Sequence, residues 1–120
     1  MGKIRNANFR EALKNAIKGL IYGIKTQRNM KIQLVITILV IIVAIIFKVS
    51  KIELLFLVLS IFIVLVAEMI NTSIEEVVNL YTEKFHDKAK FAKDIAAGAV
   101  LLASINSIIV AIIIFYDKIL

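Results

Sequence analysis

Residues 54–80 read LLFLVLSIFIVLVAEMINTSIEEVVNL, a stretch that begins as a membrane helix and ends as a polar one with no break between. From Leu54 to Ala67 it holds no charged residue, and from Glu68 onward the same helical pattern continues with Glu68, Asn71, Thr72, Glu75, Glu76 and Asn79. At ~100° per residue, Glu68, Asn71, Thr72, Glu75 and Asn79 fall on one face of the helix, and Glu76 lies off its edge. An ionised carboxylate at the end of a membrane helix is costly unless it faces water, a metal or a substrate. The polar face is therefore the candidate functional site.

Composition supports a membrane setting. The chain has 120 residues, 61% of them hydrophobic, a mean hydropathy of +0.93 and no proline. Soluble domains run near ~45–50% apolar residues. A single membrane-embedded domain over residues 1–120 is expected, with no room for a second. The absence of cysteine excludes disulfides, zinc–thiolate sites and thiol catalysis. His86 is the sole histidine and forms no cluster with others. The first 31 residues are charged and interrupted, so no signal peptide is expected. The net charge of +6 comes from basic residues that flank apolar runs. Membrane topology and anionic headgroups explain them better than nucleic acid does.

Along the chain, Phe9, Ala12, Leu13, Ala16, Ile17, Leu20 and Ile24 recur at helical spacing opposite Arg10, Glu11, Lys14, Asn15 and Lys18. This predicts a basic amphipathic helix over about 8–25, capped by Asn8 and lying in the membrane interface. Packing on a soluble partner is the alternative. Spans are expected over about 30–49, 52–80 and 89–116, with Lys48, Ser50 and Lys51 in a very short first turn and a polar connector at 81–88. The fold class is an all-α membrane protein with three transmembrane helices and an N-terminal surface helix. The N-terminal segment holds Lys3, Arg5, Arg10, Lys14, Lys18, Lys25, Arg28 and Lys31, and Lys84, Lys88, Lys90 and Lys93 surround the second connector. The first connector has only Lys48 and Lys51. Positive-inside bias puts the N-terminus in the cytoplasm and the C-terminus outside a bacterial plasma membrane. The acidic face then sits at the cytoplasmic boundary, within reach of ATP and Mg²⁺.

No glycine-rich phosphate loop is present, because the only glycines are Gly2, Gly19, Gly23 and Gly98. A nucleotide site would have to be built from side chains. The last helix opens with AKFAKDIAAGAVLLA, which gathers Lys90, Lys93 and Asp94 ahead of the small residues Ala96, Ala97, Gly98 and Ala99. Small residues let membrane helices approach closely. Asp94 has a plain reading as a favourable charge at a helix N-terminus, and the lysines as headgroup contacts. Set at the same depth as a carboxylate face, they also suit phosphoryl transfer. Glu75 offers hard oxygens for Mg²⁺, lysine balances phosphate charge, Glu68 can take a proton from an attacking hydroxyl, and Asn71 can orient either group. The same groups would suit a proton or cation pathway.

EMINTSIEEVVN at 68–79 followed by KDIAAGAVLLA at 93–103 resembles the prokaryotic diacylglycerol kinase family of small membrane lipid kinases. The resemblance extends to the N-terminal helix, the RNMK segment at 28–31 and the order of spans. AEMINT, RNMK and KDIAAGAVLLA look more like its undecaprenol kinase branch than its diacylglycerol-specific one. The resemblance implies a homotrimer using MgATP, with active sites shared between subunits at the cytoplasmic boundary and a polyprenol or diacylglycerol as acceptor. It implies Glu68 as general base, Asn71 in the same constellation, Glu75 as a magnesium ligand, Lys93 and Asp94 as nucleotide contacts, and Arg10 as the nearest N-terminal nucleotide contact. Two positions depart from the family pattern. Gln27 stands where a metal-binding glutamate precedes RNM, and Asn79 stands where an aspartate is usual. Loss of both charges is expected to weaken Mg²⁺ binding or shift its ligands. Gln27 keeps a carbonyl oxygen as a metal donor, and Glu76 is a candidate compensating ligand. These departures also leave room for a non-catalytic membrane scaffold, alongside the small ion-transport subunit that the carboxylates alone would allow.

Overall fold

The computed structural model describes residues 8–82 and 84–120; Lys3 and Arg5 of the basic N-terminal segment lie outside the described residues. The described chain is four α-helices in order: α1 (Phe9–Thr26), α2 (Arg28–Ile46), α3 (Lys51–Tyr81) and α4 (Asp87–Ile119). Three of them, α2, α3 and α4, are long and apolar enough to cross a membrane.

Local chemistry sets each boundary. The Asn8 side chain accepts from the Glu11 N–H at 2.9 Å, the expected cap. One extended residue, Gln27, separates α1 from α2, and its own N–H still closes the last turn of α1 on the Gly23 carbonyl. Gln27 makes no side-chain cap bond on α2.

The span predicted over 30–49 stops sooner, at Ile46. Lys48 adopts a left-handed conformation with φ 52°, its N–H bonding to Ile45 and the Val49 N–H to Ala44. This Schellman-type turn satisfies the terminal carbonyls and ends the helix before Val49. Ser50 and Glu53 then form a reciprocal capping box that starts α3. The last helix begins at Asp87, earlier than the predicted 89, because His86 caps it by accepting from the Lys88 N–H at 3.2 Å.

α3 packs most extensively against α4; α2 packs less extensively against α3, and α1 touches both α2 and α3. At the end away from the polar face, Ala44, Leu57 and Ile114 form a buried cluster. Phe47 and Phe115 meet edge to face beside it, with centroids 6.1 Å apart. Lys118 ties the same end of α4 to Glu53 of α3 at 3.0 Å. Most of the remaining span surface is exposed Ile, Leu, Val and Phe, as expected for helices facing lipid or other membrane helices.

Length explains how one helix serves two media. At ~1.5 Å per residue α3 reaches roughly 46 Å, against a hydrocarbon layer of ~30 Å. Its last turns must leave the apolar layer, and they carry the polar face.

α1 reaches α3 at a glycine. A Cβ on Gly23 would lie 2.9 Å from Met69 Sδ and 3.2 Å from its Cε. That methyl end is flexible and can move aside. We expect Gly23→Ala to keep stability within about 1 kcal/mol, alanine's better helix propensity offsetting the shift. Gly23→Leu has no such outlet and should lower the temperature at which the detergent-purified protein stays monodisperse. Size-exclusion profiles after graded heating would check both.

Candidate active site

One stripe of α3 is buried, and it changes character along its length. Leu57, Ser60 and Val64 are followed on the same face by Glu68, Asn71 and Thr72, at helical spacing except for the final adjacent pair. Glu68 is only 4% exposed, Asn71 9% and Thr72 8%. Glu76 is exposed, off the edge of this face as its register requires. A carboxylate so fully withdrawn from solvent at the end of a membrane helix is the site's most unusual feature.

Glu75, one turn beyond Asn71, is half-buried and accepts from Asn71 Nδ2 at 3.3 Å. The other amide atom, Asn71 Oδ1, is buried without a hydrogen-bond partner. An unpaired buried acceptor costs stability, and such atoms call for an explanation. A ligand or ion arriving at the site would supply one.

A further turn along, Asn79 joins α3 to α4: its Oδ1 accepts from Lys93 Nζ at 2.7 Å. Asn79 is thus used as a neutral acceptor that aims a lysine. Asn79 and Lys93 border an open cleft of about 260 Å³ that also takes in Lys84, Phe85, His86, Lys90 and Asp94. Asp94 pairs with Lys90 at 2.6 Å, both more than half exposed. Because α4 starts at Asp87, Asp94 sits two turns inside the helix. Its plain reading as the N-terminal charge is overturned; Asp87 holds that place.

The structure therefore brings Glu68, Asn71, Glu75, Asn79 and Lys93 onto one ladder, with Asp94 at its outer rim. Arg10 stays apart. It is exposed on the first turn of α1, roughly 20 Å along the helix from Gly23, where α1 meets Met69. Gln27 is half-buried at the α1–α2 break. Sequence reasoning missed the Lys93–Asn79 link and the capping role of His86. The first depends on the relative register of two helices, which no local pattern carries. The second had a signal: a polar side chain just before an acidic first turn.

Among the described residues no group of three or more His, Asp or Glu side chains could hold a metal ion on its own. Mg²⁺ seldom needs one, since it binds through one or two carboxylates and keeps waters and substrate phosphates as its other ligands. Glu75 beside the unpartnered Asn71 Oδ1 fits an ion delivered with phosphates.

Comparison with known proteins gives the arrangement a lineage. Residues 14–115 match the model of a family described as prokaryotic diacylglycerol kinase. The chain is 38% identical over 104 residues to a diacylglycerol kinase of Synechocystis sp., covering 86% of this chain and 59% of that protein. It is 34% identical over 110 residues to an undecaprenol kinase of Bacillus subtilis, covering 92% of this chain and 89% of that one. The chain thus spans somewhat over half the length of the first relative and most of the second. The match runs from within α1 to near the end of α4 and takes in the whole polar ladder: the chain belongs to the prokaryotic diacylglycerol kinase family.

Proposed function

We propose that the chain is a multi-pass membrane lipid kinase that transfers the γ-phosphoryl group of ATP to the primary hydroxyl of a membrane lipid, with undecaprenol as the acceptor. The observation that carries this reading is the buried Glu68 at the membrane end of a ladder whose water-side end presents Lys93. A lipid hydroxyl approaches from the apolar end and a polyphosphate from the aqueous end, so the two substrates meet along α3.

Each residue then has a task. Glu68 accepts the hydroxyl proton as the lipid oxygen attacks the γ-phosphorus. The bond from that phosphorus to the bridging oxygen breaks, and ADP leaves with the electron pair. Asn71 holds Glu75 in place through its amide. Glu75, with Gln27 as a further oxygen donor, would hold Mg²⁺, whose charge would offset that of the phosphates. Lys93, steadied by Asn79, counters the charge on the transferring group, and Asp94 contacts the nucleotide. A homotrimer with sites shared between subunits would give Arg10 a route to the nucleotide of a neighbouring copy. The clustering of lysines around α1 and the second connector supports a cytoplasmic N-terminus and an external C-terminus in the bacterial plasma membrane.

Undecaprenol is favoured over diacylglycerol because the relative of that name is matched over nearly all of its length. The purified protein in lipid, given labelled MgATP, should phosphorylate undecaprenol in preference to diacylglycerol. Product from diacylglycerol alone would keep the chemistry and replace the acceptor. Product from neither would leave a non-catalytic scaffold as the better account.

A further inference from the structure

Midway along the spans, polar residues of three helices share one narrow cavity. Gln33 and Thr37 of α2, Ser60 of α3 and Ser107 of α4 line a cavity of about 40 Å³ whose remaining walls are apolar, among them Leu57 and Val64. Thr37 lies at the midpoint of α2, so bulk water is roughly 14 Å away in either direction along the helix. Ser60 is 2% exposed, and the other three are half-buried.

The hydrogen-bond pattern decides what fills the space. Thr37 Oγ1 donates to the Gln33 carbonyl at 2.7 Å, and Ser60 Oγ donates to the Leu57 carbonyl at 2.9 Å. Both hydroxyl protons are thus spent on their own helices, and both oxygens are left as acceptors only. The Gln33 amide and the Ser107 hydroxyl bring protons to give. A molecule with two donors and two acceptors complements this set, and water is the smallest that does. A water needs ~10–15 Å³ of such space and two to four polar partners; the cavity exceeds that volume, and four polar residues lie on its lining.

We infer that this cavity is a buried water site, binding ordered water between α2, α3 and α4 within the hydrocarbon layer. The water fixes the rotation of α3 against its neighbours. Ser60, Val64 and Glu68 share one buried stripe, so a fixed Ser60 also fixes the direction in which Glu68 points. Val64 stands between the cavity and Glu68 as an apolar step, which keeps this water apart from the reaction site. The inference does not depend on the kinase reading.

Radiolytic hydroxyl-radical footprinting of the protein in bilayers, in ¹⁸O-labelled water, tests it. Side chains beside bound water are oxidised even at membrane depth. Leu57 and Val64 should be labelled several-fold more than Leu55 and Leu59, which lie on the outer surface of α3. Ser60→Val, which fills the cavity and removes an acceptor, should abolish the excess, and Thr37→Val should reduce it. Wild-type labelling of Leu57 and Val64 no greater than that of Leu55 and Leu59 would overturn the site, whatever the variants do. An excess that persists in a folded Ser60→Val protein would overturn the assignment to this cavity.

Discussion

Glu68→Gln should abolish nearly all lipid phosphorylation while leaving the protein at least as stable as the wild type. The substitution keeps shape and one acceptor oxygen but cannot take a proton. A positioned general base contributes roughly 10²–10⁴ in rate, so kcat should fall by that factor. That is about 3–5 kcal/mol of transition-state stabilisation. The KM for MgATP should move by no more than about threefold, because the lost interaction forms only as the hydroxyl gives up its proton. Stability should move the other way. Glu68 is only 4% exposed, and a buried carboxylate loses hydration that a neutral amide forgoes more easily. Steady-state kinetics with labelled ATP, paired with thermal stability in the same detergent, would read both effects. A variant that is inactive because it has misfolded would lose stability as well. A variant with wild-type turnover would remove Glu68 from the role of base.

Glu68 is legible in the sequence because its whole face belongs to a single element. Helical periodicity places Glu68, Asn71, Thr72, Glu75 and Asn79 together, and that face is buried or half-buried as far as Glu75, with Asn79 exposed. The agreement follows from one rigid helix carrying the pattern without interruption. The three apolar runs are legible for the same reason, since hydropathy over about 20 residues needs no tertiary information.

Features made between elements escape such a reading. Lys93 and Asn79 lie on different helices, and their pairing at 2.7 Å depends on how far α4 is slid along α3. The Lys118–Glu53 tie at the opposite end depends on the same register. Four polar residues scattered through apolar runs give no sign of sharing a cavity, because Gln33, Thr37, Ser60 and Ser107 each look like an isolated tolerated polar group. The early end of α2 arises from a non-glycine residue, Lys48, in the left-handed region, where glycine is the usual signal.

Glu75→Gln should raise the Mg²⁺ concentration needed for half-maximal activity by at least about tenfold, and lower kcat with it. Removing the charge weakens a hard-cation site far more than it disturbs the scaffold. The glutamine can still accept from Asn71 Nδ2, so the 3.3 Å contact that positions this side chain survives. Asn71→Leu provides the contrast: it leaves the carboxylate charge in place but frees it to move, so turnover should fall with a smaller change in Mg²⁺ dependence. Gln27→Glu supplies the opposite sign. A carboxylate there adds a charged hard-oxygen donor in place of a neutral amide, and half-maximal activity should be reached at lower Mg²⁺. Titrations of activity against Mg²⁺ at fixed ATP would separate the three variants. If Glu75→Gln keeps the wild-type Mg²⁺ requirement while Gln27→Glu lowers it, the metal is held from the α1–α2 break and Glu75 serves only to anchor Asn71. If neither variant changes the requirement, the cation arrives held by the phosphates alone, and the ladder from Glu68 to Lys93 acts on the reacting groups without a metal contact of its own.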